Sequence, residues 1–145
     1  MTDHTSADWD ARYSATPAPW GGTPAAAVVE RLSTMEPGTA LDLGCGDGRH
    51  ARLLAQMGWD VVGVDLSPEA IRIAQEHDSL GPKIIYTVGD VCTWVPVYDA
   101  QVTEDERFKS GKFDLVLGAY LHLPMQQLRD VLKRCLLYTS DAADE

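Results

Sequence analysis

The chain has 145 residues, with 22 Asp and Glu against 12 Lys and Arg, and a formal net charge of -10. This is the length of one domain, and 45% apolar with 23% charged residues is the composition of a folded domain, not of a disordered chain. The acidic excess argues against a nucleic-acid-binding protein, because phosphate neutralisation needs a basic surface. We therefore expect a small-molecule or protein partner.

The sequence offers no sign of export or of a membrane span. No apolar stretch approaches the roughly 18 residues of a spanning helix, and the first ten residues, MTDHTSADWD, lack the features of a signal peptide. Cys45, Cys92 and Cys135 form no CxxC pair, and His4 and His77 have no companion ligands at metal spacing. We expect a cytoplasmic protein with no metal site.

The last eleven residues, CLLYTSDAADE at 135–145, resemble the in-frame translation of a transposon-type sequencing-library adapter. The alternative is a genuine helix end, because apolar residues at positions 128, 131, 132, 135 and 136 keep helical spacing. We expect a non-native tail from 135 onwards and exclude it from the fold prediction. Residues 1–134 then carry 19 acidic and 12 basic residues, a net charge of -7.

Residues 1–22 are predicted to form an N-terminal flap that contains Trp9, Tyr13 and Trp20. We expect a short helix at DWDARY and a loop at PAPWGG. Thr23-Pro24 then begins a helix that ends before Pro37-Gly38, since Ser or Thr followed by Pro is typical of a helix start.

Beyond the flap, strands alternate with helices. Strands are predicted at TALDLG, WDVVGVD, KIIYTVGD and FDLVLGAY, and helices at 49–57, from Ser67 to before Gly81-Pro82, and at 124–134. Residues 92–112 are predicted to be a surface connection, and His50 is expected to be exposed. This alternation is typical of an α/β, doubly wound, Rossmann-like parallel sheet with helices on both faces.

The first strand is followed by a glycine-rich turn, LDLGCGDGRHA. Gly44, Gly46 and Gly48 allow the backbone to turn sharply and to approach a ligand, and open α/β sheets bind ligands at this edge. Glycine after a strand is also ordinary turn chemistry. The turn therefore favours a nucleoside-type ligand and leaves a purely structural role open.

Aspartates end the next two strands. Asp65 lies 17 positions after Gly48, where a carboxylate can accept hydrogen bonds from the hydroxyls of a bound ribose. The alternative is that Asp65 caps the helix that begins at Ser67-Pro68. Asp90 could accept a hydrogen bond from an adenine amine, or be a solvated turn residue.

These residues carry a family resemblance that covers nearly all of residues 1–134. LDLGCGDG resembles motif I of the class I S-adenosylmethionine-dependent methyltransferases, VVGVDLS resembles motif II, VGDV motif III and FDLVLGAYLHLP motif IV. WDARY and PAPWGGTP resemble the small bacterial branch that includes tellurite-resistance and thiopurine methyltransferases. The resemblance implies the first four strands, in the order 3-2-1-4, of a seven-stranded fold: a partial domain, 1–134, with flap 1–22 and cofactor-binding core 23–134.

The resemblance also implies S-adenosyl-L-methionine as cofactor and assigns its contacts. Asp42 and the backbone of Gly44, Cys45 and Gly46 would face the methionine moiety, Asp65 the ribose, and Asp90 with the Val91 amide the adenine. The remaining expected contacts are Gly48, Leu66, Gly118, Tyr13 and Trp20. Cys45 is in this interpretation a small residue in a tight turn and not a nucleophile.

Tyr120 and His122, after the fourth strand, are the candidate catalytic residues. They would line the acceptor side with Tyr13 and Trp20, and an aromatic face near a sulfonium is favourable through cation–π attraction. His122 is either a general base or a hydrogen-bond donor to a loop carbonyl. The expected reaction is methyl transfer to a small-molecule acceptor, the EC 2.1.1 class, by the intact parent, with at most cofactor binding by the fragment.

Two alternatives stay open. Gly46, Gly48 and Ala51 match the GxGxxA fingerprint of a nicotinamide dinucleotide site, although that register gives Asp42 and Asp90 no role. The other alternative is a non-catalytic protein of the same fold that binds the cofactor and transfers nothing.

Overall fold

The computed structural model describes residues 5–15, 26–78, 84–93, 113–118 and 123–135. Several predictions lie outside these residues: the loop at PAPWGG, most of the connection 92–112, and the side chains of Trp20, Tyr120 and His122.

Within the described ranges, four strands form one sheet in the order β3-β2-β1-β4, and every neighbouring pair is parallel. The strands are β1 (Thr39–Leu43), β2 (Asp60–Asp65), β3 (Ile85–Val88) and β4 (Leu115–Leu117). The prediction of a parallel α/β sheet with the order 3-2-1-4 is confirmed. The strands are shorter than predicted: β1 ends before Gly44, β2 begins after Trp59, β3 ends before Gly89 and β4 ends before Gly118.

The part of the chain that the structure describes forms five helices beside the sheet: α1 (Ser6–Ala15), α2 (Ala26–Leu32), α3 (Arg49–Gln56), α4 (Pro68–His77) and α5 (Met125–Cys135). The start of α4 follows the sequence signal: Ser67 is the N-cap, and its side chain accepts a hydrogen bond from the Ala70 amide. The predicted start of α2 at Thr23-Pro24 lies outside the described residues. Helix α5 extends one residue into the segment 135–145. Cys135 is 1% exposed, and its carbonyl accepts a 2.8 Å hydrogen bond from the Phe113 amide.

Alternate residues of the central strands pack on opposite faces of the sheet. Leu41 and Leu43 of β1 belong to a cluster that includes Phe113 and Val131, whereas Ala40 packs with α2 and α3 on the other face. Every residue of β1 is buried, as expected for a strand covered on both faces. In the described part of the chain, no helix has both the length and the apolar character needed to cross a membrane.

Candidate functional site

The register of the sheet brings the ends of all four strands to one edge. Leu43 pairs with Val64, Asp65 with Val88, and Asp42 with Leu117. Along the carboxyl edge, the residues after β3, the Asp65 carboxylate at the end of β2, the glycine turn after β1 and Gly118 after β4 therefore follow one another. Open parallel sheets bind ligands at this edge.

The glycine turn is held by backbone hydrogen bonds. Gly44, Gly46 and Gly48 have φ angles of 67°, 56° and 86°, a region that non-glycine residues rarely adopt. The amides of Gly44 and Cys45 donate to the Val64 carbonyl at 2.8 and 3.0 Å, which fixes the turn against the end of β2. This conformation leads directly into α3, with Gly48 as its N-cap.

Packing provides a second reason for glycine at position 48. A Cβ there would lie 2.5 Å from the Tyr86 hydroxyl and 3.2 Å from the Ala74 Cβ. The turn therefore rests on side chains of β3 and α4, and this contact favours glycine at position 48 whatever ligand the edge binds.

Asp65 supports the turn from the neighbouring strand. Its side chain is 8% exposed; Oδ2 accepts a hydrogen bond from the Gly46 amide at 2.8 Å and Oδ1 from the Ser67 amide at 2.9 Å. A carboxylate has about four lone-pair sites, so each oxygen keeps capacity for another donor. Burial raises the pKa of Asp65, and the two amides oppose this shift. Both interpretations of Asp65 are thus compatible with its geometry: it organises the turn, and it can still accept hydroxyl groups.

Asp42 is the buried carboxyl of β1. It is 2% exposed, and its Oδ2 has no hydrogen-bond partner among the described residues. An oxygen left in that state costs free energy unless a ligand or a proton satisfies it. Asp42 is therefore the group of this edge that most needs a donor or a cation.

Burial is the main reason that the pKa of Asp42 rises to about 8. The nearby carboxylates of Asp65 and Asp47 raise it further, while the Arg49 guanidinium and the Ala51 amide lower it. A pKa this far above the ordinary aspartate value favours the protonated form near neutral pH, and carboxyls shifted in this way are concentrated at functional sites.

Cys45 lies in the turn and is buried, with its side chain against Gly63 of β2. Burial and the neighbouring carboxylates raise the pKa of this thiol well above its ordinary value. Because the thiolate is the reactive form, the structure agrees with a structural role for Cys45 and not a nucleophilic one.

Asp90 and Val91 follow β3. Asp90 is exposed, and its Oδ1 accepts a 3.0 Å hydrogen bond from the Cys92 amide, as in a turn residue. Val91 is buried in the core beneath the turn. Its carbonyl accepts a 2.6 Å hydrogen bond from Arg134 of α5, a contact that local sequence patterns do not reveal.

The other predicted site residues are distributed unevenly. Leu66 is half-buried directly after Asp65, and Gly118 is exposed directly after β4. Tyr13 belongs to α1, but its side chain lies outside the described residues, as do Trp20, Tyr120 and His122. The described part of the chain thus brings together the glycine turn, Asp42, Asp65, Leu66, Asp90, Val91 and Gly118, and leaves the candidate catalytic pair untested.

Three polar residues of the turn and of α3 are more buried than the sequence indicated. Asp47, Arg49 and His50 are all buried, and the prediction that His50 is exposed is wrong, since its exposed fraction is 4%. Desolvation and the Arg49 charge lower the pKa of His50. The direct continuation of the turn into α3 places these side chains in the interior. The spacing of residues in the sequence does not predict this burial.

The arrangement defines an α/β protein with a ligand edge built from a glycine turn and an acidic residue on the next strand. A family model described as "Methyltransferase domain" matches residues 40–139. The match covers more than half of the chain, which therefore belongs to this methyltransferase-domain family.

Two relatives of known sequence are methyltransferases. The chain is 48% identical over 80 residues to a ubiquinone biosynthesis O-methyltransferase of Azorhizobium caulinodans, covering 54% of this chain and 26% of the relative. It is 35% identical over 75 residues to a trans-aconitate 2-methyltransferase of Methylobacterium radiotolerans, covering 50% of this chain and 28% of the relative. The aligned regions thus span only about a quarter of these relatives.

Solved structures share the fold. A protein described under the conversion of a disulfide bond into a thioacetal group during echinomycin biosynthesis superimposes with a TM-score of 0.67 and 28% identity, covering 92% of this chain and 56% of that chain. Phosphoethanolamine N-methyltransferase 1 of Haemonchus contortus, in complex with phosphoethanolamine and S-adenosylhomocysteine, superimposes with a TM-score of 0.62 and 24% identity. The superposition covers 88% of this chain and 28% of that chain. TehB of Haemophilus influenzae superimposes with a TM-score of 0.59 and 20% identity, covering 87% of this chain and 40% of that chain.

Proposed function

We propose that this chain is the cofactor-binding part of an S-adenosyl-L-methionine-dependent methyltransferase that acts on a small-molecule acceptor. The observation that carries the proposal is the buried Asp42 oxygen without a partner, beside a glycine turn that Asp65 holds, in a chain of the methyltransferase-domain family. S-adenosyl-L-methionine, the cofactor expected from the motifs, is the cofactor that this family and the S-adenosylhomocysteine-bound structural relative support.

The described residues fit this cofactor by their chemistry. Its methionine part carries an ammonium group, which donates hydrogen bonds, and Asp42 is a buried carboxyl whose Oδ2 has no hydrogen-bond partner among the described residues. Its ribose offers two hydroxyl donors, and Asp65 keeps lone pairs for them. The turn at Gly44, Cys45 and Gly46 lets a ligand approach the backbone closely.

The bound cofactor would supply an activated methyl group on a sulfonium. This chain would contribute binding, orientation and exclusion of water, because in-line displacement from a sulfonium depends on positioning more than on proton transfer. Asp42 would hold the ammonium, Asp65 the ribose, and Asp90 with Val91 the adenine, while Gly48, Leu66 and Gly118 would border the same edge.

The acceptor side belongs to residues outside the described part of the chain. We assign Tyr120 and His122 to the acceptor side, with Tyr13 and Trp20 as aromatic walls. A small-molecule acceptor agrees with the acidic composition and with the trans-aconitate and ubiquinone biosynthesis methyltransferases among the relatives. We also propose that the protein belongs to the tellurite-resistance and thiopurine branch of the methyltransferases. In the same proposal, residues 135–145 are a non-native tail.

Calorimetric titration of the 145-residue chain with S-adenosylhomocysteine, S-adenosylmethionine and NAD tests the proposal. We expect heat of binding with the first two ligands and none with NAD. Heat with NAD alone would favour the dinucleotide register at Gly46, Gly48 and Ala51, and no heat from a folded sample with any of the three would overturn the proposal. A longer version of the protein that binds but never consumes the cofactor would favour a non-catalytic role.

A further inference from the structure

Helix α1 contacts the loop that follows Asp65, although about sixty residues separate them in sequence. The Ser6 hydroxyl donates to the Leu66 carbonyl at 2.8 Å. The Asp10 Oδ1 accepts from the Glu69 amide at 3.0 Å and also from the Ser67 hydroxyl. Ser6 and Asp10 are four positions apart and therefore lie on one face of α1.

Asp10 is not needed to begin its own helix. Thr5 and Asp8 form a reciprocal cap: the Thr5 amide donates to Asp8 Oδ2 at 2.9 Å, and the Asp8 amide donates to Thr5 Oγ1 at 3.2 Å. The start of α1 is thus stabilised locally. The carboxylate of Asp10 serves the contact with α4.

At α4, Asp10 acts as a second cap supplied by another helix. The first amides of a helix have no partner within it, and a carboxylate near them is favoured by the helix dipole. The Ser67 hydroxyl accepts from the Ala70 amide at 3.1 Å, which leaves the Glu69 amide to Asp10. The two acceptors together satisfy the first turn of α4.

The hydrogen bonds continue from this cap to the glycine turn. The Ser67 amide donates to Asp65 Oδ1 at 2.9 Å, and the Gly46 amide donates to Asp65 Oδ2 at 2.8 Å. Asp10, Ser67, Asp65 and Gly46 therefore form one connected series. Because the Ser67 amide holds Oδ1, we expect a displacement of Ser67 to change the orientation of the Asp65 carboxylate.

We propose that Asp10 is a positioning residue of the cofactor site: by holding Ser67 and the first turn of α4, it fixes the Asp65 carboxylate for the ribose. This inference rests on the proposed function. Asp10 acts through Ser67 and has no assigned contact with the cofactor.

The test is calorimetric titration of the 145-residue chain and its variants with S-adenosylhomocysteine. Asp10→Ala should weaken binding about tenfold, the factor expected from a charge-assisted hydrogen bond near the low end of its range. Asp10→Asn keeps the acceptor oxygen and should stay within about threefold of the wild type. Asp130→Ala removes an exposed carboxylate of α5 and is the matched control, with unchanged affinity.

The outcomes separate the inference from the proposed function. No binding by the wild type would overturn the proposed function, and the inference with it. Binding by the wild type and equally by Asp10→Ala would overturn the inference alone, as would equal losses in Asp10→Ala and Asp10→Asn. If Asp10→Ala does not fold, Ser6→Ala decides: about threefold weaker binding supports the inference, and unchanged affinity overturns it.

Discussion

The Gly46 amide donates a 2.8 Å hydrogen bond to Oδ2 of Asp65, across 19 positions of sequence. This bond joins the turn after one strand to the end of the next and makes the acidic residue part of the turn's own structure. A change at Asp65 therefore affects the loop and any ligand on it together.

Asp65→Ala should weaken S-adenosylhomocysteine binding by about a hundredfold or more, because it removes the ribose acceptor and the partner of Gly46 at once. Asp60→Ala is the control, since Asp60 is exposed at the opposite end of the same strand. Calorimetric titration measures both variants. Similar affinity for wild type and Asp65→Ala would show that the ribose assignment is wrong.

The ionisation of Asp42 predicts how stability depends on pH. Its pKa is about 8 in the folded chain and 3.8 as an unperturbed value, so the folded state binds the extra proton between these limits. Relative to Asp42→Asn, the wild type should lose stability as the pH rises from about 4 to about 8, by at most ~1.4 kcal/mol per pH unit. Above pH 8 the difference should be constant.

Denaturant unfolding of both proteins at several pH values measures this difference. A difference between wild type and Asp42→Asn that is independent of pH, or that grows in favour of the wild type as the pH rises, would contradict the assignment.

Cofactor binding should release a proton from Asp42. A ligand ammonium favours the carboxylate, whereas the free protein holds the acid form at pH 7 because its pKa is about 8. Affinity should therefore rise between pH 6 and pH 8, by up to about tenfold per pH unit. Calorimetry in buffers of different ionisation enthalpy detects the proton, and Asp42→Asn should abolish the buffer dependence. Identical heats in all buffers for the wild type would place the ammonium elsewhere.

Two glycine substitutions separate backbone strain from steric contact. In Gly58→Ala, the alanine must adopt a positive φ of 96°, and its Cβ would contact only Pro37, at 3.3 Å. This variant should lose about 1–2 kcal/mol of unfolding free energy. Gly48→Ala adds a contact with the Tyr86 hydroxyl and should cost about 1–3 kcal/mol more.

Tyr86→Phe should rescue part of the loss in Gly48→Ala, because it removes the hydroxyl that the new methyl meets. That hydroxyl is buried and has no hydrogen-bond partner among the described residues, so Tyr86→Phe alone should be neutral or slightly stabilising. Thermal or denaturant unfolding of the single and double variants measures the coupling. Strictly additive losses would mean that Tyr86 is not the obstacle.

Sequence patterns predicted the sheet, and the edge at which the candidate site residues lie, because both depend on local features. Apolar strands, the glycine turn and the acidic residue at the end of β2 can be recognised from short stretches of sequence, and parallel pairing brings the strand ends together. The same patterns could not locate the partners of Asp10 and Arg134, since those contacts join residues more than forty positions apart. His50 was mispredicted for a similar reason: its burial depends on how the turn and α3 pack against the rest of the chain.

The central claim is that the glycine turn and Asp65 together form the cofactor site. Titration of the isotope-labelled 145-residue chain with S-adenosylhomocysteine, followed by amide NMR, tests it most directly. The largest shifts should occur at the amides of Gly44, Gly46, Leu66 and Val91, with little change at Thr39 and Asp60 on the opposite edge of the sheet. Shifts confined to residues away from the carboxyl edge, or none at saturating ligand, would contradict the claim.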